Sequence, residues 1–161
     1  MASKATIINK ILELEGAYSD DPNDPGGETN WGITLPFWKE VTGLDDFPVT
    51  FERAHAILCY EYLWEKTSTD MVANEMRLCY FAFAVNAGWP KAHKILQDVL
   101  GVYSDGIIGP QTIHALASSS LDKTYFPFVE AVIVHYFSVP GFAHYGRGWM
   151  NRLAQTLIPL R

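Results

Sequence analysis

The amino-acid sequence predicts a mainly α-helical fold with a small β-wing after the first helix. Two observations carry this prediction. Apolar residues recur at helical spacing along most of the chain, as Ile7, Ile11 and Leu12 do near its start. The polar and aromatic segment 29–34 departs from that spacing and is typical of a short strand, which we expect to pair with residues 16–20.

The first helix has clear start and stop signals. Ser3 is a good N-cap, and Gly16 is a typical helix stop, so Glu15 falls at the end of the helix. Glu15 also follows Ile11 by four residues, which places it beside the apolar face. The next stretch, 20–27, contains three Asp, two Pro and two Gly residues and therefore predicts a loop.

The rest of the chain predicts a series of helices. Thr34 and Pro36 open a short helix that Gly43 ends, and Thr50 caps the next one. The side chains expected to face the core on that next helix are Phe51, Ala54, Ile57, Leu58 and Leu63. Residues 75–87 are apolar nearly all round, which predicts a buried central helix. Later helices are expected at about 91–100, from Pro110, at 124–138 and at about 147–157.

The composition is that of a globular protein, since 48% of the 161 residues are apolar and 19% are charged. This length fits one domain, and we expect a single domain over residues 1–161. The net charge of −6 argues against nucleic acid as a partner, because proteins that bind it carry a basic patch. No apolar run is long enough to span a bilayer, so we expect no stable membrane association.

Other hydrolase classes lack their signatures in this sequence. The two cysteines, Cys59 and Cys79, lie in apolar helical patterns and are expected to be buried free thiols. The five histidines show no His-Glu-x-x-His spacing, and no Gly-x-Ser-x-Gly elbow occurs. We therefore expect neither a metal centre nor a serine or thiol nucleophile.

Glu15 carries the strongest chemical signal. The negative end of the helix macrodipole and apolar neighbours both raise the pKa of a carboxyl placed at a helix C-terminus. A carboxyl that keeps its proton near neutral pH can give it to a leaving glycosidic oxygen. The alternative is a solvated glutamate at a helix end.

The segment 15–34 resembles the N-terminal signature of glycoside hydrolase family 108, the lysozyme-like muramidases of phages and bacteria. The matching pattern is Glu-Gly-x-Tyr, followed by Asp-Pro-Gly-Gly-x-Thr-Asn-Trp-Gly-Ile-Thr. One departure is Ala17, where family members commonly have glycine. Later segments that are also similar to the family are 60–64, 81–88, 96–112 and 146–152. The resemblance implies a lysozyme-like domain with its catalytic signature over about 1–90 and a peptidoglycan-binding-like helical segment over about 91–155 packed on it.

Glu15, Asp24 and Thr29 resemble the Glu, Asp, Thr arrangement of the better-known phage lysozymes, with the last interval one residue shorter. The resemblance implies that Glu15 is the general acid, that Asp24 is the base or electrostatic partner, and that Thr29 helps to hold the attacking water. Asp20 and Asp21 are alternatives for the second carboxylate, and turn composition alone would also explain Asp24. Direct attack by water predicts carboxyls roughly 6.5–9.5 Å apart and inversion at the anomeric carbon.

Amides that can bind the N-acetyl groups of a glycan and aromatic rings that can stack on sugars supply the candidates for substrate binding. These candidates are Tyr18, Asn30, Trp31, Tyr60, Asn86 and Trp149. Core packing is the alternative for each aromatic ring, and helix capping is the alternative for Asn86. Gln111 and Thr112 belong, by resemblance, to the peptidoglycan-binding segment, although a tight turn followed by a helix start would explain them equally.

The sequence therefore predicts a muramidase of the endolysin type. It would hydrolyse the β-1,4 bond between N-acetylmuramic acid and N-acetylglucosamine and so lyse the cell wall. We expect peptidoglycan as its partner, no cofactor and a monomeric state. We also expect it to stay in the host or bacterial cytoplasm until a holin releases it to the wall. Two alternatives stay open: a lytic transglycosylase, in which the muramic 6-hydroxyl replaces water, and a non-catalytic cell-wall-binding or virion module.

Overall fold

The computed structural model describes residues 2–15, 18–19, 28–45 and 53–157. The chain divides into two compact units, one over Ser3–Trp64 and one from Glu65 onward. Both units are built mainly from α-helices, and the first also contains a small antiparallel sheet directly after its first helix. The predicted fold class, mainly helical with a small β-wing, is confirmed.

The first unit begins with α1 (Lys4–Glu15). The Ser3 hydroxyl accepts a hydrogen bond from the Thr6 amide at 3.1 Å, so the predicted N-cap is present. The helix buries one side through the predicted residues Ile7, Ile8, Ile11 and Leu12. Glu15 is the last residue of α1, and the expected stop at Gly16 lies outside the described residues.

The sheet contains three two-residue strands, β1 (Tyr18–Ser19), β2 (Thr29–Asn30) and β3 (Ile33–Thr34), in the order β1-β2-β3. Both pairings are antiparallel, with Tyr18 opposite Asn30 and Asn30 opposite Ile33. The sequence predicted one continuous strand over 29–34, whereas the structure folds this segment into a hairpin. The difference arises because Trp31 and Gly32 both adopt left-handed backbone conformations, which reverse the chain.

Helix α2 (Leu35–Thr42) has the boundaries that its cap residues predict. The Thr34 hydroxyl accepts a hydrogen bond from the Phe37 amide at 3.3 Å, Pro36 lies in the first turn, and Gly43 ends the helix with φ of 73°.

Helix α3 (Arg53–Lys66) follows, and its expected cap at Thr50 lies outside the described residues. Leu63 is buried as predicted, but Leu58 is 49% exposed, so its predicted place in the core was wrong. The side chains of Phe51 and Ala54 lie outside the described part of the chain. Apolar residues occupy both sides of α3, and packing selects the side formed by Ala56, Cys59, Tyr60, Leu63 and Trp64.

The secondary structure in the described part of the second unit consists of helices, which turns connect. Its helices are α4 (Arg77–Ala87), α5 (Trp89–Leu100), α6 (Pro110–Ser118), α7 (Leu121–Ser138) and α8 (Phe142–Thr156), preceded by two single-turn 3₁₀ helices at Thr69–Met71 and Asn74–Met76. Seven consecutive residues of α4, from Leu78 to Ala84, are buried, which confirms the predicted central helix. Helices α5, α7 and α8 pack around it. In the described residues, no helix is both long enough and apolar enough to cross a membrane.

Candidate active site

Glu15 occupies the C-terminal end of α1, one turn beyond the buried residues Ile11 and Leu12. Its own side chain is half-buried. The helix therefore places a carboxyl at the boundary between the apolar core of the first unit and its surface. This is the location that the sequence predicts.

The turn between β2 and β3 lies directly against this carboxyl. Trp31 and Gly32 form a two-residue loop with φ values of 55° and 72°, the pattern of a type I′ turn. A Cβ atom built on Gly32 would lie 2.9 Å from Cγ and 3.0 Å from Oε2 of Glu15. Any side chain at Gly32 would therefore collide with the candidate acid.

Tyr60 of α3 reaches the same turn from the core. It is 1% exposed, and its hydroxyl donates a hydrogen bond of 2.7 Å to the carbonyl oxygen of Trp31. The same hydroxyl oxygen would lie 2.9 Å from a Cβ atom on Gly32. Residues 15, 31–32 and 60, which are distant in sequence, thus meet at one point.

The other predicted residues of the wing lie on its three strands. Asn30 is 8% exposed, Thr29 is half-buried, and Tyr18 is 61% exposed. Thr29 pairs with Ser19 on one side and Thr34 on the other, so the strand backbone fixes its position. Of the two wing aromatics, Tyr18 is the more exposed and Trp31 is half-buried, and the contact of each with a sugar stays a prediction.

The candidates for the second carboxylate are the three aspartates between β1 and β2 in the sequence. Asp24 and its alternatives Asp20 and Asp21 all lie outside the described residues. Their roles stay predictions, as does inversion at the anomeric carbon.

Asn86 and Trp149 belong to the second unit. Asn86 is half-buried inside α4, which ends at Ala87. Gly88 occupies the C-cap, so Asn86 does not take the cap position that was its alternative role. Trp149 is half-buried in α8, with its ring stacked on Tyr136 at a centroid distance of 5.6 Å. Packing within an aromatic cluster accounts for Trp149, and its contact with a glycan stays a prediction.

The motif around Asp105 and Thr112 is organised by the buried side chain of Gln97. Gln97 Nε2 lies 2.8 Å from Asp105 Oδ1, 2.9 Å from the Ile107 carbonyl oxygen and 3.2 Å from Thr112 Oγ1. Gln97 Oε1 accepts a 2.8 Å hydrogen bond from the Gly106 amide. These bonds explain Thr112 as a structural residue, whereas Gln111 is exposed.

The two thiols have the properties of core residues. Both are free and buried, as predicted. Burial raises the pKa of the Cys59 thiol to about 11 and that of Cys79 to about 12, which keeps both protonated and unreactive at neutral pH. Among the described residues, no group of three His, Cys, Asp or Glu side chains is arranged to hold a metal ion.

Gly32 is the site residue that the sequence reasoning missed. A signal was present, because a glycine between two short strand-like pairs favours a two-residue hairpin turn. Trp31 obscured that signal, since a bulky aromatic residue seldom adopts a left-handed conformation.

Comparison with known proteins places this geometry in a family. The family model described as glycosyl hydrolase 108 matches residues 8–88, a span that includes the C-terminal part of α1, the wing and α3. The solved structure of Brucella abortus SagA is similar to this chain, with a TM-score of 0.88 and 28% sequence identity. That similarity covers 96% of this chain and 91% of the SagA chain. A comparison with curated proteins finds no match. Since the family model spans half of the sequence, the chain belongs to the glycosyl hydrolase 108 family and is a glycoside hydrolase.

Proposed function

We propose that this protein hydrolyses peptidoglycan at the β-1,4 bond between N-acetylmuramic acid and N-acetylglucosamine, with Glu15 as general acid. Family membership supports a muramidase-like peptidoglycan hydrolase. The observation that carries the assignment of the acid is the half-buried carboxyl at the end of α1, set against the backbone of Gly32. A carboxyl in such a partly desolvated position can hold a proton and release it to a leaving group.

In the proposed reaction Glu15 protonates the glycosidic oxygen as its bond to the anomeric carbon breaks. Water adds to the same carbon from the opposite face and loses a proton to Asp24, while Thr29 helps to position that water. The products are a new reducing end and a free hydroxyl on the neighbouring sugar, so atoms and charges balance. Asp24 and Thr29 enter on their resemblance to phage lysozymes.

Replacing Glu15 by glutamine tests the acid. Glu15→Gln keeps the size of the side chain but removes the transferable proton, so we expect clearing of purified sacculi to fall by at least ~100-fold, as for loss of general acid catalysis. Glu13→Gln is the matched control on the same helix, because Glu13 is exposed and pairs with Lys10 at 3.5 Å. Equal clearing by Glu15→Gln and the parent protein would remove Glu15 as the acid.

Mass spectrometry of the digested peptidoglycan separates hydrolysis from its enzymatic alternative. Reducible muramic ends are expected from attack by water, whereas anhydro-muramyl ends would assign a lytic transglycosylase. Binding to sacculi without any new ends would instead indicate a wall-binding or virion module.

The cellular role follows as part of the same proposal. We propose that the protein acts as a monomer and reaches the wall through a holin. Expression of the chain alone in a bacterial host should leave the culture turbid, and co-expression with a holin should lyse it. Lysis by the chain alone would contradict the holin requirement.

A further inference from the structure

We propose that Tyr60 and Gly32 are positioning residues that hold the Glu15 carboxyl in the geometry needed for proton transfer. The inference rests on the proposed role of Glu15 as the general acid. Neither residue needs to touch the glycan. Tyr60 holds the β2–β3 turn through its hydrogen bond to the Trp31 carbonyl oxygen. The turn places Gly32, which has no side chain, directly against the Glu15 carboxyl.

The turn requires an external constraint because its conformation is unfavourable. Trp31 has φ of 55°, a region in which a bulky residue is strained, and such strain persists only where surrounding contacts enforce it. Those contacts are visible on both sides of the turn. Asn30 and Ile33 are buried, and the Tyr60 hydroxyl bonds the Trp31 carbonyl oxygen at 2.7 Å.

Tyr60 is suited to this task because its side chain is almost completely buried. It is 1% exposed within α3, so its ring is held by the core of the first unit. Its hydroxyl therefore acts as a fixed donor, and the carbonyl that it binds belongs to the residue directly before Gly32. The position of Gly32 is thereby linked to the core.

Gly32 then determines how closely the backbone approaches Glu15. The point where a Cβ atom would stand lies within 3.0 Å of both Oε2 of Glu15 and the Tyr60 hydroxyl oxygen. Glycine is the residue that permits this approach and also the positive φ. A backbone this close to Cγ and Oε2 occupies space that other rotamers of the Glu15 side chain would enter, so it narrows the positions that the carboxyl can take. A displacement of about 1 Å in a catalytic group can cost on the order of 100-fold in rate.

Tyr60→Phe tests the first residue, with Tyr62→Phe as its matched control. Both changes remove one hydroxyl from α3, but the Tyr62 hydroxyl donates a hydrogen bond of 3.1 Å to Glu40 on α2. On soluble glycan strands we expect Tyr60→Phe to lower kcat about 10-fold with little change in KM, because binding is retained while the acid is less well placed. Tyr62→Phe should behave like the parent protein.

The pH profile separates positioning from a simple loss of folded protein. On the alkaline side, above the pH range in which His93 and His135 change the stability, partial unfolding would lower the rate by one constant factor. A loosened wing would instead admit water to the Glu15 carboxyl and stabilise its ionised form, so the alkaline limb should move to lower pH in Tyr60→Phe. A uniform loss of rate with an unchanged limb would assign Tyr60 a structural role only and overturn the inference.

Gly32→Ala tests whether Glu15 needs the close approach of the Gly32 backbone, and Gly43→Ala is its matched control. The two glycines have φ values of 72° and 73°, so an alanine meets the same unfavourable positive φ at each, but nothing lies within 4 Å of a Cβ atom on Gly43. We therefore expect Gly32→Ala to lower both the melting temperature and kcat more than Gly43→Ala does. Combining Gly32→Ala with Glu15→Ala should shrink the difference in melting temperature only in part, because the colliding Glu15 atoms are removed while the Tyr60 hydroxyl oxygen stays 2.9 Å from the new Cβ atom.

Failure of the inference and failure of the proposed function give different results. If Glu15→Gln is inactive but Tyr60→Phe and Gly32→Ala match their controls, Glu15 is the acid and the positioning role is wrong. If Glu15→Gln is as active as the parent, the proposed function itself fails. If Gly32→Ala does not fold, the kinetics and pH profile of Tyr60→Phe decide whether the inference holds.

Discussion

Trp31 shows how much a single residue contributes to the candidate site. It is one of two described residues other than glycine with a positive φ, and the other is Ser68. Its carbonyl oxygen accepts a hydrogen bond from the Tyr60 hydroxyl. Its unfavourable backbone conformation reverses the chain, so that Gly32 faces Glu15. Because strain of this kind is retained only when surrounding structure enforces it, its location beside the candidate acid agrees with a functional role.

Gln97 illustrates a different use of a buried polar side chain. It is 1% exposed, and its amide joins α5 to the turn at Asp105–Ile107 and to α6. We expect Gln97→Leu to lower the free energy of unfolding by about 3 kcal/mol, because the buried Gly106 amide loses its acceptor. Urea titration would measure the change.

Gln111→Leu is the control for that prediction, since Gln111 is exposed near the start of the adjacent helix. It should leave the unfolding free energy nearly unchanged. A comparable loss in both variants would show that the Gln97 bonds do not stabilise the turn.

At the scale of elements, the short helix α2 depends strongly on its cap. Thr34 ends β3 and caps α2 at the same time, so one hydroxyl couples the wing to the helix. We expect Thr34→Ala to cost about 1 kcal/mol of stability and Thr34→Ser to cost little, because serine retains the acceptor for the Phe37 amide. Chemical denaturation of both variants tests this, and equal losses would show that the methyl group, not the cap bond, matters.

At the scale of the whole molecule, we expect the buried His93 and the half-buried His135 to make stability depend on pH. Burial lowers the pKa of His93, against hydrogen bonds to the Gly106 and Thr67 backbone, and it lowers the pKa of His135 together with the charge of Lys91. The unfolded chain therefore binds more protons than the folded one below the ordinary value of 6.5. Stability is complete above that pH and falls as the pH drops towards the lowered values.

His135→Phe should reduce this pH dependence. The ring of His135 makes an edge contact with Phe83 at 5.6 Å, which a phenyl ring can retain. We expect the loss of unfolding free energy between about pH 7.5 and 5.5 to be smaller in His135→Phe than in the parent. His144→Phe, at an exposed position, is the control, and equal slopes in all three proteins would contradict the assignment.

The local features of the chain were open to prediction from sequence. The cap residues Ser3 and Thr34, the stop at Gly43, the buried central helix and the position of Glu15 all depend on neighbours within one or two helical turns. Periodicity and capping chemistry encode such features directly. The family resemblance, also carried by local motifs, is confirmed, while the single-domain organisation and the individual site roles stay predictions.

The features that packing decides lay beyond the reach of sequence patterns. Leu58 and Tyr60 are two residues apart on α3, but Leu58 is 49% exposed and Tyr60 is 1% exposed. When a helix carries apolar residues on both sides, its sequence does not indicate which side is buried. The elements that pack against the helix decide this. The same reason applies to the meeting of Glu15, Gly32 and Tyr60. Their contact depends on α1, the hairpin and α3 converging in space, and no spacing along the chain records that convergence.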